Sequence, residues 1–305
     1  MTLSEEAVST ALARAERLTD ELINKIATLN PALLSEFQSP GMQLALFSAQ
    51  KECARTGDET VEQLLVSVLV DRAKERERSL RQIALEEAIT VIPKLTEKQI
   101  DILTLNTLVN DHYFSARSLP ALKSYLSRVM QFKATIRFMS PDIRHVEFTG
   151  CAKLTTSSRN KSLDMKIKES FPGLFPKEFT KDEFITAIPR SEEFEALLVP
   201  CDSKEGYFRL NAVSIEDINQ FFQLRNLNND DKKPLFDLLR SASLDIKDVK
   251  ARLIELEPGI EFVFSFDNHD IFSLELTPVG MAIASANFAR KMGYPLGWPY
   301  HMRDV

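Results

Sequence analysis

Cysteine is scarce and poorly placed for cross-linking. Cys53, Cys151 and Cys201 are odd in number, far apart and without C-x-x-C spacing, which excludes a disulfide framework and a cysteine-built structural zinc site. A reducing, cytoplasmic location is the expectation. Glycine (9) and proline (14) are few for 305 residues, and the aromatic content comes mainly from 20 phenylalanines. Few tight hairpins can be built from so few turn-formers, so helices should predominate. No apolar run is long enough to cross a bilayer: Leu64 to Val70 is short and interrupted by Ser67. Met1 to Asp20 lacks a basic stretch followed by an apolar core and instead carries Glu5, Glu6, Arg14, Glu16 and Arg17 at helical spacing, so no secretory leader is read. Positive charge is not in excess either. With 38 Lys+Arg against 44 Asp+Glu the net charge is -6, which argues against a broad phosphate-binding surface and leaves room only for a local basic face.

Signatures of catalysis are missing as well. There is no G-x-S-x-G elbow, phosphate loop, G-x-G-x-x-G turn or kinase signature. His112, His145, His269 and His301 stand alone, none within an H-x-x-x-H or H-x-x-E-H run. Arg144-His145 has the wrong spacing for a helical-bundle ribonuclease, and Glu86-Glu87 point to different helical azimuths, so they cannot share a proton. No catalytic residue, metal ligand or cofactor is assigned. A non-enzymatic role leads, and a toxin or enzyme whose site is assembled across domains is the remaining catalytic alternative.

What the chain does have is helical periodicity. Val8, Leu12, Ala15, Leu18, Leu22, Ile26 and Leu29 recur at three- and four-residue steps, predicting one long amphipathic helix that Asn30-Pro31 ends. Its narrow stripe suits either packing within the chain or a self-association seam, which makes Leu12 and Leu22 candidate partner contacts. Helices follow over Met42–Arg55, Thr60–Arg78 and Leu80–Ile92, and Thr96 opens another with an acidic first turn. The sign-alternating Asp71–Arg78 reads as a solvated helix end.

The stretch Asp245–Asn287 reads as the closing half of a winged helix. A helix (Ile246–Glu257) runs into Pro258-Gly259, then β segments at Ile260–Phe264 and Phe272–Thr277 around an Asp267-Asn-His-Asp270 wing tip, then a helix that Thr277 caps with Pro278 in its first turn. Gly280 there should permit close approach to a neighbour. The order helix, β-like Ala134–Phe138, turn at Ser140-Pro141-Asp142, β-like His145–Leu154 echoes it. The expected fold class is therefore mainly α: a helical N-terminal domain plus a winged-helix-like α+β C-terminal domain, with a second winged-helix-like unit around 95–155. The expected division is 1–155 (helical, ending in a small β hairpin), 156–185 (an irregular connection whose phenylalanines are buried) and 186–305 (winged-helix-like).

A winged helix serves DNA reading and protein docking alike. On Ile246–Glu257 the inward stripe is Ile246, Val249, Leu253 and Leu256, which leaves Lys247 and Lys250 outward; with Arg252 these are the candidate nucleic-acid contacts. Asp245, Asp248, Glu255 and Glu257 outnumber them, and two carboxylates sit at the wing tip. That balance penalises DNA approach and favours protein docking. The aromatic, Pro- and Gly-rich tail, with Tyr294 and Trp298, is a further candidate partner contact.

Ala45–Gln50 with Arg55–Asp58, Leu69–Lys74, Val91–Thr96, Phe171–Phe175 and Leu276-Thr-Pro-Val-Gly-Met-Ala-Ile-Ala284 together resemble an uncharacterised bacterial family designated by locus tags. Its C-terminal Leu-Thr-x-x-Gly-x-x-Ile-Ala motif follows a wing-like hairpin, and the Asn/Gly/Gln-rich lead common among its members is not in this sequence. The resemblance transfers no catalytic residues. The scattered occurrence of the family resembles that of accessory and phage-defence genes. The leading expectation is thus a cytoplasmic interaction or regulatory protein, self-associating or protein-binding and accessory to an anti-phage system, with no membrane contact. The alternative is a winged-helix DNA-binding regulator.

Overall fold

The computed structural model describes residues 3–111, 118–133, 140–155, 161–201, 204–228, 231–264 and 273–296. The fold is mainly α with small sheets of two and three strands. Its contacts divide the chain into two units: Met1–Tyr113, Gln131–Ser157 and Asn268–Val305 form unit 1, and Phe114–Met130 with Ser158–Asp267 form unit 2.

Unit 1 opens with α1 (Leu3–Leu29), and its next elements are punctuated by residues legible in the sequence. Asn30 accepts from the Ala32 N–H to start a 3-10 turn at Pro31. Ser39 caps α2 (Pro40–Thr56), which Gly57 ends at φ 62°, a left-handed conformation that glycine adopts without cost. Asp58 caps α3 (Glu59–Lys74), Ser79 caps α4 (Leu80–Val91), and Thr96 with Gln99 forms a reciprocal capping box on α5 (Glu97–Asn106). The apolar run Leu64–Val70 is the buried middle of α3. No helix among the described residues is long and apolar enough to cross a membrane.

Further along the chain, unit 1 adds α7 (Ser140–Phe148) and β1 (Ala152–Leu154); the intervening α6 (Leu119–Met130) belongs to unit 2. The expected β segment at His145–Leu154 is therefore helical to Phe148. Ser140-Pro141-Asp142 acts as a helix start, and Ile143 and Val146 are buried three residues apart, a helical spacing. The expected strand at 134–138 lies outside the described residues.

Unit 2 continues with α8 (Leu163–Ser170), β2 (Phe179–Thr180), α9 (Lys181–Ala187), β3 (Leu198–Pro200) and β4 (Tyr207–Leu210), followed by α10 (Ile215–Arg225), α11 (Lys232–Ser241), α12 (Ile246–Leu256) and the short α13 (Glu261–Phe264). The connection expected to be irregular thus holds a helix and the start of a second. Phe175, Phe179 and Phe184 are buried and Phe171 is half-buried; Phe179 and Phe184 stack 6.1 Å apart in a core shared with Phe194, Phe222, Leu235 and Leu239. β4 is central in an antiparallel sheet of order β2-β4-β3. Pro200 on edge strand β3 has no N–H to offer, which blunts that edge. Gly173 packs so closely that a Cβ would lie 1.9 Å from the Ala212 carbonyl oxygen.

Ile260–Phe264, expected as a strand, is helical from Glu261, because Ile260 and Val263 are buried three residues apart while Phe262 and Phe264 are half-buried. The second expected strand exists as β5 (Leu274–Leu276), but its partner is β1, antiparallel with Ala152 opposite Leu276 and Leu154 opposite Leu274. The strand–wing–strand order expected after α12 is thus replaced by a helical turn and a strand paired with a distant segment. The expected wing tip, 267–270, lies outside the described residues.

Thr277 caps α14 (Pro278–Met292), as its Thr-Pro start predicts. Gly280 through Phe288 are all buried, and α14 packs on α3, α4 and α5. Small residues make that burial possible: a Cβ on Gly280 would sit 2.0 Å from the Cys151 carbonyl oxygen. Residues 268–305, expected within the C-terminal domain, therefore group with the N-terminal helices.

Candidate interaction surfaces

The most polar part of the unit 1 core joins α5 to α14. Asp101, fully buried, accepts from Asn287 Nδ2 at 2.8 Å and from Lys291 Nζ at 2.6 Å. Asn287 Nδ2 also donates to Thr104 Oγ1 at 2.9 Å, and Arg290 Nη2 donates to Asn287 Oδ1 at 2.9 Å and to Glu97 at 3.0 Å. Each charge has a counter-charge and each amide a partner, which is the arrangement of a structural clamp. Sequence reading missed it. The available signal was an Asn in the otherwise apolar run of Ile283, Ala284 and Phe288.

Other polar groups are also engaged in structure. Among the described residues no group of three or more His, Cys, Asp or Glu is placed to hold a metal ion. Burial pushes the Cys53 thiol up to about 11 and raises that of Cys151 as well, the opposite of the activation a nucleophilic cysteine needs. A cleft of about 450 Å³ in unit 2 is lined by Leu197, Ala212, Asp217, Gln220 and Phe221. Its Asp217 carboxylate accepts from the Val213 and Ser214 N–H groups at 2.9 and 2.8 Å, capping α10.

On α12, Val249 and Leu253 are buried and Ile246 and Leu256 half-buried, the expected inward stripe. Of the three candidate nucleic-acid contacts, Lys250 lies 5.1 Å over the Phe264 ring and Arg252 pairs with Glu255 at 2.7 Å. Lys247 is exposed and outside every ion pair found among the described residues. One uncommitted cation on a helix that also carries Asp248 and Glu255 gives little attraction for a phosphate backbone.

The apolar stripe of α1 divides in two. Leu18, Leu22 and Ile26 are fully buried in unit 1, so Leu22 serves the core. Val8 and Leu12 remain 57% and 58% exposed. Tyr294 is half-exposed, its ring edge-on to Phe288 at 5.4 Å, and Trp298 lies outside the described residues.

A surface that sequence reading missed lies along α1 and α2. Gln50 Nε2 donates to Thr19 Oγ1 at 2.8 Å and Arg14 Nη1 to the Ala54 carbonyl at 3.0 Å, so the helices run antiparallel with Thr19 level with Gln50. One turn onward from Thr19 is Ile23, 42% exposed; about one turn back from Gln50 are Phe47 and Leu44, 65% and 67% exposed. This register sets Ile23 beside Phe47 on the outer seam, with Leu12 farther along the same side of α1. Large apolar side chains this exposed and this close together mark interaction surfaces. The sequence did contain the signal. Leu44, Phe47 and Lys51 repeat at three- and four-residue steps on the side of α2 opposite the buried Met42, Ala45, Ala49 and Cys53.

No curated protein and no solved structure matches the chain. A family model, described only by the suffix “:-like”, matches residues 1–301, and the chain belongs to that family.

Proposed function

We propose that this is a non-enzymatic cytoplasmic interaction protein that docks through the outer face of α1 and α2. The observation that carries the reading is the cluster of Ile23, Leu44 and Phe47, each more than two-fifths exposed on one helix pair. Water-exposed apolar area of this kind stabilises a complex by roughly 25 cal/mol for each Å² that a partner covers. Three buried or half-buried cysteines, none in a disulfide among the described residues, suit a reducing compartment. The family resemblance adds an accessory role in anti-phage defence.

A photo-crosslinking amino acid placed at position 47 and irradiated in the native host tests the docking reading. Adducts that appear at position 47 and not at the exposed, polar Lys204 position support it. Absence of any protein adduct, or a salt-dependent gel shift of duplex DNA abolished by Lys247→Glu, would overturn it in favour of the DNA-binding alternative.

A further inference from the structure

The charges around the α1–α2 face are sorted by helix. On the α1 side Glu16 and Asp20 are exposed; on the α2 side Lys51 is exposed. None of the three takes part in an ion pair among the described residues. By the same register the apolar side chains lie farther along the pair, with Ile23 beyond Asp20 on α1 and Phe47 and Leu44 before Lys51 on α2. Because Thr19 is level with Gln50, Glu16 and Asp20 stand at the same height along the helices as Lys51.

A surface with acid on one helix, base at the same height on the other and apolar side chains on both is complementary to itself under one particular rotation. A two-fold axis lying in the face and parallel to the helices sets α1 of one copy over α2 of the next at unchanged height. Glu16 and Asp20 then meet the partner's Lys51, Ile23 meets the partner's Phe47, and the facing helices are antiparallel, which also pairs their dipoles favourably. The other face-to-face two-fold, perpendicular to the helices, stacks α1 on α1 and α2 on α2, so that neither acid meets a Lys51. The charge pattern therefore selects both the partner and the arrangement.

We propose that the occupant of the α1–α2 face is a second copy of this chain, forming a four-helix layer in which α1 of each protomer lies over α2 of the other. The proposal rests on the reading of this face as a docking surface. Four-helix layers of this kind bury their apolar seam by knobs-into-holes packing, with flanking charges fixing which helix faces which.

Light scattering on the full chain over a wide concentration range should show a species of twice the 34.6 kDa of one chain. Phe47→Glu should weaken the dimer at least tenfold. Glu16→Lys with Asp20→Lys should weaken it by about three- to tenfold, as exposed pairs do, and adding Lys51→Glu to that variant should bring the constant back to within about twofold of wild type. Far-ultraviolet circular dichroism shows that each variant is folded. The compensating reversal tests the arrangement itself, because loss of fold cannot be repaired by a further charge change. A chain that stays at its monomer mass throughout, or a charge reversal that Lys51→Glu does not repair, overturns the proposal. The cross-link at position 47 separates the two readings. An adduct joining tagged and untagged copies supports the dimer, an adduct with a different protein sinks the dimer and keeps the docking face, and no adduct sinks both.

Discussion

Replacing Gly280 by alanine sets two effects against each other. Gly280 occupies the first turn of α14, where alanine is the better helix former by about 1 kcal/mol. Its Cβ, however, would lie 2.0 Å from the Cys151 carbonyl oxygen and 2.9 Å from that carbonyl carbon. Ordinary contact requires the backbone of α14 and that of residue 151 to separate by more than 1 Å. The Thr277 N–H donates to the same oxygen at 3.0 Å, and the Thr277 hydroxyl donates to the adjacent Gly150 carbonyl at 2.7 Å; a shift of that size breaks both bonds. Two hydrogen bonds lost at about 1 kcal/mol each, with about 1–3 kcal/mol for the displaced packing, outweigh the gain in propensity. The net expectation for Gly280→Ala is a loss of about 2–4 kcal/mol, read as a fall of roughly 1 M in the urea midpoint of unit 1. Gly150→Ala is the comparison. Nothing lies within 4 Å of a Cβ there, but φ is +74°, so only left-handed strain of about 1–2 kcal/mol applies. A midpoint for Gly280→Ala at or above wild type, or a smaller loss than for Gly150→Ala, would refute the close-approach argument.

Two further perturbations probe the core of unit 1. Asn287→Leu keeps the volume but withdraws from buried Asp101 a hydrogen bond of 2.8 Å; a loss of about 2–4 kcal/mol is expected, and a melting temperature within a degree of wild type would contradict it. The Cys53 thiol is raised to about 11 by burial from an ordinary 9.0. A raised folded-state value means that folding favours the protonated thiol, so its contribution is fully present below pH 9 and is lost as pH climbs through 11. Cys53→Ala should flatten that part of the stability profile. Alkylation at neutral pH should reach half-buried Cys201 first, and labelling of Cys53 ahead of Cys201 would speak against it.

Local punctuation was legible in the sequence, and long-range pairing was not. Asn30, Ser39, Gly57, Thr96 and Thr277 mark element ends through side chains that bond within a few residues of themselves or through a positive φ, so their meaning is carried by near neighbours. The apolar segment Ile260–Phe264 was ambiguous for the opposite reason. Alternating Phe262 and Phe264 suggests a strand, and only burial of Ile260 and Val263 shows that a period near three prevailed. Nothing near Leu274 announces that its strand partner is Leu154. The docking face was missed because one strong stripe on each helix satisfies the usual search. Leu44 and Phe47 form a second stripe, visible only once Met42, Ala45 and Ala49 are known to be buried.

The burial of α14 against α3, α4 and α5 has a consequence for biosynthesis. The helices that surround it are translated first, and their common partner follows much later. At about 5–20 residues per second, the roughly 170 residues between Asn106 and Pro278 keep those apolar faces uncovered for on the order of ten to thirty seconds. Val66, Leu69, Leu85 and Ile100 on these three helices are hidden entirely or almost so in the finished protein. A premature stop shortly before Thr277 would therefore leave α3, α4 and α5 without the helix they share.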